Sequence, residues 1–180
     1  MDTKHAGDTI VTIDTGSIHR FLEHLLRLDE ETRQQRFCHR ASDADVRDYV
    51  DSLDLKRARV IGFLCDGKMR GAAELSPSGC ARAPVFDATV SVEKVWQGRG
   101  IRTALVLRAI PMARELGASH IRVEGLAGNE RLRRIVAQFD ADMLFEDDDC
   151  KAWLPVGRMG HAAAMVRPTL AIQGSAFPSS

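Results

Sequence analysis

The sequence is poor in aromatics and shows no excess of either charge. Tyr49 is its one tyrosine, and aromatic residues make up 6% of the 180 positions. The 25 Lys and Arg residues match 25 Asp and Glu, for a formal net charge of zero. That balance argues against the broad basic footprint of a nucleic-acid or anionic-membrane binder, so neither is expected as a partner. No apolar run approaches the roughly 20 residues that a bilayer crossing needs. Met1-Asp2-Thr3-Lys4-His5 lacks the charged-then-apolar order of a secretion signal. Cys38, Cys65, Cys80 and Cys150 lie far apart and form no C-x-x-C pair, which points to free thiols in a cytoplasmic protein rather than a disulfide framework or a zinc site. His5, His19, His24, His39, His120 and His161 show no metal-ligand spacing; no metal is expected, and the sequence gives no histidine a role. The phosphate-binding pattern G-x-x-x-x-G-K-S/T is also missing.

What is present suffices for one core. Hydrophobic residues are 44% of the chain, ample for a domain of this length without staples. Thr9 to Ile13 alternates with period two and reads as a strand. Ser17 precedes Ile18, Phe21, Leu22, Leu25 and Leu26, a helical stripe with an N-cap. Asp29 to Arg36 is polar throughout and reads as a connector or a loose helical turn. Ser42 opens a second helix with Val46, Tyr49, Val50 and Leu53 on its apolar face. Ala58 to Cys65 and Met69 to Leu75 flank Asp66-Gly67-Lys68, a hairpin signal. Ser76 to Pro84 reads as a loop and Val85 to Val92 as a strand. Ile101 to Leu116 is a helix closed by Gly117, with Pro111 predicting a kink near Leu107. Ser119 to Glu124 is a strand, Asn129 to Gln138 a helix, and Ala141 to Phe145 with Cys150 to Leu154 a last hairpin. The order predicts an α+β domain over residues 1–155 with a mixed, mostly antiparallel sheet and about four helices. Residues 156–180, rich in Gly, Ala, Pro and Ser, read as a mobile C-terminal tail.

The chemistry concentrates between Phe86 and Leu105. A strand runs into a loop holding Gly98 and Gly100, and the loop runs straight into a helix. Such glycines let the backbone approach a ligand, and the exposed N–H groups with the helix dipole favour an anion, above all a pyrophosphate. Arg99 and Arg102 add positive charge there; the bland alternative is a tight turn flanked by solvated arginines. A dinucleotide site is a second alternative, since Gly98-x-Gly100 opens a helix and Glu124 ends the next strand. Against it, Thr103 holds the third small-residue position, and too little chain follows Glu124 for two mononucleotide-binding halves.

The segment resembles the GNAT superfamily of acyl-CoA-dependent N-acyltransferases. Val90-Ser91-Val92 stands where that family has a V-x-V strand end, and Gln97-Gly98-Arg99-Gly100-Ile101-Arg102 where it has Q/R-x-x-G-x-G/A. Val123 to Asn129, with Phe139, is similar to the family's next strand and Asn-headed helix. Arg102 departs from the pattern at a place usually held by Gly or Ala, and either crowds the pyrophosphate or binds a phosphate. The likeness spans about residues 9–155 and is specific between Asp87 and Phe139. Within the family it looks most like the bacterial protein-lysine acetyltransferase branch: Leu28 to Phe37 resembles a segment of that branch, and Phe86-Asp87-Ala88-Thr89-Val90 its Ala-Glu-Phe-Ala-Val strand.

The resemblance implies a splayed strand pair at an acyl-CoA site, with acetyl-CoA as cosubstrate and a primary amine, on a protein lysine or a small molecule, as acceptor. It implies cofactor contacts from Val90, Ser91, Val92, Gln97, Gly98, Arg99, Gly100, Ile101, Arg102, Thr103 and Asn129, with an oxyanion donor around Val92. It implies Asp87 as general base, with Glu93 second; Glu93 otherwise reads as a solvated loop acid. The tyrosine that many members place after the Asn helix has no counterpart. Cys150 reads as a structural thiol, and Glu146-Asp147-Asp148-Asp149 as a solvated run that would favour a cationic acceptor if it rims the site. A homodimer is compatible with this reading. The alternatives are a catalytically weak acyl-CoA-binding regulatory module on the same fold, and a nucleotide-cofactor protein.

Overall fold

The computed structural model describes residues 8–78, 84–124, 130–137, 141–146 and 149–156. The expected C-terminal tail past Val156, the loop residues 79–83, Asn129 and Phe139 lie outside the described residues.

One sheet organises the domain. Strands β1 (Thr9–Ile13), β2 (Arg59–Cys65), β3 (Lys68–Pro77) and β4 (Val85–Val92) form an antiparallel run, and β5 (His120–Val123), β6 (Asp142–Glu146) and β7 (Asp149–Pro155) complete the order β1-β2-β3-β4-β5-β7-β6. All neighbours are antiparallel except β4 and β5. The α+β class and the mostly antiparallel sheet are those expected. The β2–β3 hairpin turns at Asp66 and Gly67, both at positive φ, as an Asp-Gly pair in a two-residue loop requires. Its register jumps from Leu64–Met69 to Phe63–Gly71, leaving Arg70 as an extra residue. Such a bulge re-aims the side chains around it.

Helices cover both faces. On one face lie α1 (Ile18–Leu26), α2 (Glu30–Phe37) and α3 (Asp43–Asp51), where Phe21, Leu25, Val46 and Val50 pack on Val60, Met69 and Ala72. On the other lies α4 (Ile101–Glu115), whose Ile101, Leu105, Val106 and Ala109 pack on Ile61, Phe63, Ala73, Leu75 and Ile121. A further helix, α5 (Glu130–Ala137), follows β5. Leu105 is completely buried, a placement that contributes about 1.5–3 kcal/mol for a side chain of its size. Helix α4 continues through Pro111, and Gly117 takes positive φ just past its end. Among the described residues no helix is long and apolar enough to cross a membrane.

Helix α2 decides between the two sequence readings of Asp29 to Arg36, a connector or a loose helical turn, in favour of a capped helix. Asp29 caps it by accepting from the Thr32 N–H at 3.1 Å, and it ends at Cys38 in the left-handed region. Charge rather than an apolar stripe ties it down. Arg33 donates to Leu26 O and pairs with Asp43, both at 2.7 Å, while Arg36 pairs with the buried Glu74 of β3 at 2.6 Å. The Tyr49 hydroxyl donates to the same Glu74 oxygen.

Candidate active site

Pairing between β4 and β5 covers only Val85–Ala88 against His120–Val123, so β4 runs on from Thr89 to Val92 beyond its last β5 partner. Two bonds fix which backbone groups face the resulting gap. Glu93 N–H donates to Arg70 O at 3.0 Å and Ser78 N–H to Val85 O at 2.8 Å. In an antiparallel ladder the hydrogen-bonded residues alternate. Asp87, Thr89, Ser91 and Glu93 therefore direct their backbone groups at β3, whereas Val90 and Val92 direct theirs away from it, toward the β5 side.

The chain then makes a 3-10 turn over Lys94–Trp96 and enters the glycine loop. Gly98 and Gly100 sit at φ 73° and 81°, a region that costs a branched side chain heavily. Gly100 is the N-cap of α4, so the first N–H groups of a 15-residue helix open beside the β4 gap. Gln97 Nε2 donates to Val92 O at 3.1 Å and holds the strand end against the loop. The Arg99 guanidinium lies 4.6 Å from the centre of the Trp96 ring, and Arg70 lies 5.4 Å from that ring. Arg102 donates to Val90 O at 3.4 Å, placing its guanidinium on the gap edge of β4. Ile101 and Thr103 are buried against the sheet and position the helix. The glycine loop, Val90, Val92 and Arg102 thus gather at one place.

Ser91 departs from its expected part. Its backbone faces β3, and its hydroxyl, in a residue 2% exposed, meets His24 Nε2 at 2.9 Å. His24 is wholly buried on α1, and its Nδ1 lies 3.6 Å from Glu93 Oε1. Glu93 is likewise no solvated loop acid, being 7% exposed. Arg27 Nε reaches Oε1 and Arg70 Nη1 reaches Oε2, each at 2.9 Å, and Arg27 also donates to Met69 O at 2.7 Å. Burial alone would push the Glu93 carboxyl up; the nearby His24 ring, hydrogen bonds from Arg27 and Arg70, and the charge of Arg27 outweigh it and hold the group at about 2. For His24, burial dominates and lowers the pKa, against the opposing pull of Glu93. Sequence spacing could not find this cluster, because its members come from α1, the β3 bulge and the end of β4.

Asp87 lies on the Ser91 face of β4, opposite Arg122 of β5 in the parallel register. Arg122 Nε stands 2.8 Å from Oδ1 and Nη2 donates to Oδ2 at 3.0 Å, while Glu124 lies 3.5 Å from the same guanidinium. Both Asp87 oxygens are thus engaged. Cys65 is buried, and burial leads the causes that push its thiol up to about 11, so it is not a nucleophile. Cys150 lies in β7, and the acidic run spans the β6–β7 connection, whose residues 147 and 148 lie outside the described residues. Among the described residues no group of three His, Cys, Asp or Glu side chains could hold a metal.

Comparison with solved structures gives the fold its name. The GNAT domain of PAT from S. lividans superposes with a TM-score of 0.63 at 19% identity, covering 82% of this chain and 90% of that one. The yncA protein of Salmonella typhimurium, solved with its cofactor acetyl-CoA, gives 0.61 at 14% identity over 86% and 97% of the two chains. An aminoglycoside N-acetyltransferase in complex with CoA gives 0.54 at 15% identity over 76% and 89%. No protein-family model and no curated protein matches the sequence. The chain has the GNAT fold.

Proposed function

We propose that the chain is an N-acetyltransferase that moves an acetyl group from acetyl-CoA to a primary amine, on a protein lysine or a small molecule, by direct attack in a ternary complex. The observation that carries this reading is the edge of β4 past Ala88, which pairs with no strand on its β5 side among the described residues. Val90 and Val92 aim backbone groups into a gap that ends at the Gly98–Gly100 loop and the N-terminus of α4. Such an edge suits the amide-bearing pantetheine arm, and the loop suits the pyrophosphate. The same fold holds acetyl-CoA in the yncA protein and CoA in the aminoglycoside N-acetyltransferase.

In this reading the backbones of Val90 and Val92 line the acyl end of the cosubstrate, and Ser91 holds the strand between them through its buried contact with His24. Gln97, Gly98, Arg99, Gly100, Ile101 and Thr103 form the pyrophosphate end, Arg102 sits at its edge on the Val90 carbonyl, and Asn129 bonds the pantetheine arm. The N–H of Val92 stabilises the oxyanion that forms when the amine adds to the thioester carbonyl. The departing thiolate takes its proton without a dedicated acid. Glu93 is the weaker candidate for base, since Arg27 and Arg70 occupy both its oxygens and the lowered pKa, about 2, leaves it a poor proton acceptor. Asp87 and Glu124 together outweigh the charge of Arg122 and draw an ammonium to the mouth of the gap.

One observation favours the second reading, a regulatory acyl-CoA-binding module with little turnover: Arg102 already occupies the Val90 carbonyl that the pantetheine arm would use. The nucleotide-cofactor alternative lacks support, because β5 is followed by an antiparallel hairpin rather than a second parallel unit. Thermal shift with acetyl-CoA, CoA and NAD in parallel separates the readings. A ligand at a hundred times its Kd adds about 2.7 kcal/mol to a fold that alone binds it. Gly100→Val should abolish the shift, because a β-branched residue is strained at φ 81°. Thiol release against a panel of amines then separates enzyme from module. A melting curve indifferent to saturating CoA and acetyl-CoA would end both.

A further inference from the structure

Direct attack leaves one demand unmet. The acceptor arrives as an ammonium and must lose a proton before it can attack, yet both Asp87 oxygens lie on Arg122 and both Glu93 oxygens on Arg27 and Arg70. We propose that Ser91 and His24, backed by Glu93, form the relay that takes this proton; the proposal rests on the acetyltransferase reading above.

The geometry has the order a relay needs. Ser91 sits between Val90 and Val92, the two residues whose amides face the acyl end of the gap. The relay requires one water between the attacking amine and the Ser91 hydroxyl, and Ser91 lies one residue's rise along the strand, about 3.3 Å, from Val92. That hydroxyl is 2.9 Å from His24 Nε2, and the opposite ring nitrogen, Nδ1, faces the Glu93 carboxylate at 3.6 Å. A carboxylate on that side favours the proton on Nδ1 and leaves Nε2 as a lone pair that accepts from the serine. The charged groups around the ring are Glu93 at the end of β4, Arg27 on α1 and Arg36 on α2, with Arg70 of β3 bonded to Glu93. Burial keeps the ring neutral, with a lone pair free to accept a proton, and Glu93 stabilises the imidazolium once it forms.

The steps balance as follows. The ammonium N–H, directly or through the water, passes its proton to Ser91 Oγ while the serine proton moves to His24 Nε2. The neutral amine then forms the C–N bond and the C–S bond breaks. The second amine proton goes to the thiolate, and His24 returns the first to solvent through the same hydroxyl. The net products are the amide, the CoA thiol and one proton. Ser91 remains a hydroxyl throughout and is never acylated.

The test uses the whole chain, acetyl-CoA and whichever amine of the panel turns over fastest. Ser91→Ala should lower kcat by about a hundredfold with the Kd for acetyl-CoA unchanged, and high pH should restore the rate because the amine then arrives deprotonated. His24→Gln should behave alike, and the double variant should be no slower than either single one, as expected of groups that act as a unit. A Ser91→Ala enzyme with wild-type kcat and pH profile overturns the relay. So do variants that lose acetyl-CoA affinity while keeping kcat, since that is the pattern of a structural role. Nitrogen NMR of His24 needs no turnover: the Nδ1–H tautomer supports the relay and the Nε2–H tautomer overturns it. If no amine turns over, the acetyltransferase reading fails, and the tautomer still decides whether the serine–histidine geometry stands.

Discussion

Replacing Glu93 by Gln should destabilise the domain by an amount that depends on pH. The carboxyl is 7% exposed and sits between Arg27 and Arg70 with His24 beside it. In the unfolded chain it titrates near 4.5, and in the fold it is held at about 2. At about 1.4 kcal/mol per pKa unit, that difference corresponds to roughly 3 kcal/mol. The sign follows from the depressed value. The contribution is complete above pH 4.5, and it is lost as pH falls from there toward 2, where the folded state must also take up the proton. Gln cannot carry the charge, so its deficit of about 3 kcal/mol at pH 7 should shrink to a small residue near pH 2.5. For a chain of this size each kcal/mol moves Tm by about 2–4 °C, so the variant should melt about 6–12 °C lower at neutral pH. Urea unfolding of both chains from pH 7 to 2.5 measures the difference directly, and the other carboxylates, common to both, largely cancel. A deficit that stays flat over the window, or stays below about 0.5 kcal/mol at pH 7, would show that the three partners do not hold the carboxyl as the geometry says.

Arg102→Ala should free the Val90 carbonyl and tighten CoA binding by about three- to tenfold, the worth of one ordinary hydrogen bond, with little salt dependence on calorimetry. A loss that deepens at low salt would instead assign Arg102 to the phosphates. At Gly71 a Cβ would stand 2.9 Å from Ile101 Cγ2 and 3.3 Å from Leu105 Cδ1 and Val92 Cγ2. Gly71→Ala should therefore cost about 1–3 kcal/mol in urea unfolding and weaken CoA binding, because it displaces the first turn of α4. Asp87→Asn should raise KM for a cationic amine about fivefold, close to 1 kcal/mol for a half-buried charge, with kcat at high pH unchanged. A hundredfold fall in kcat rescued by high pH would make Asp87 the base and displace the serine–histidine relay.

The parts of this fold legible in the sequence are those that local physics decides. Thr9 to Ile13 and the Asp66-Gly67 turn were read almost residue for residue, since period-two alternation and a turn demanding positive φ leave little freedom. The glycine loop and the N-terminus of α4 were legible for the same reason. Helix α2 was not, because its anchor to the sheet is Arg36 on Glu74, across 38 residues of chain, and no apolar stripe marks it. The fate of the acids was hidden too. Asp87 meets Arg122 only because β4 and β5 pair in parallel across a whole helix, and Glu93 meets Arg27 only because α1 lies over the β3 bulge. His24 carried no sequence signal at all, being one polar position on an otherwise apolar helix face, and its partner Ser91 entered only as part of a strand motif.

The four-pair parallel ladder between β4 and β5 is also the one seam in the described sheet at which neighbouring strands run in the same direction. On one side β1 to β4 form antiparallel neighbours in sequence order; on the other β5 pairs with the β6–β7 hairpin, and the seam between them closes only after the 15 residues of α4 have crossed. Contacts of short sequence separation form early and those spanning a crossover form late, so the β2–β4 run, whose strands follow one another directly, should gain its protection first during refolding. Sub-global opening of the native state should run the same path in reverse, with amides of β5 and β7 exchanging ahead of those in β2 and β3. A molecule lying in the cleft beyond Ala88 would touch both sides of the seam at once. Its binding should slow exchange chiefly on the β5–β7 side, turning two steps of opening into one.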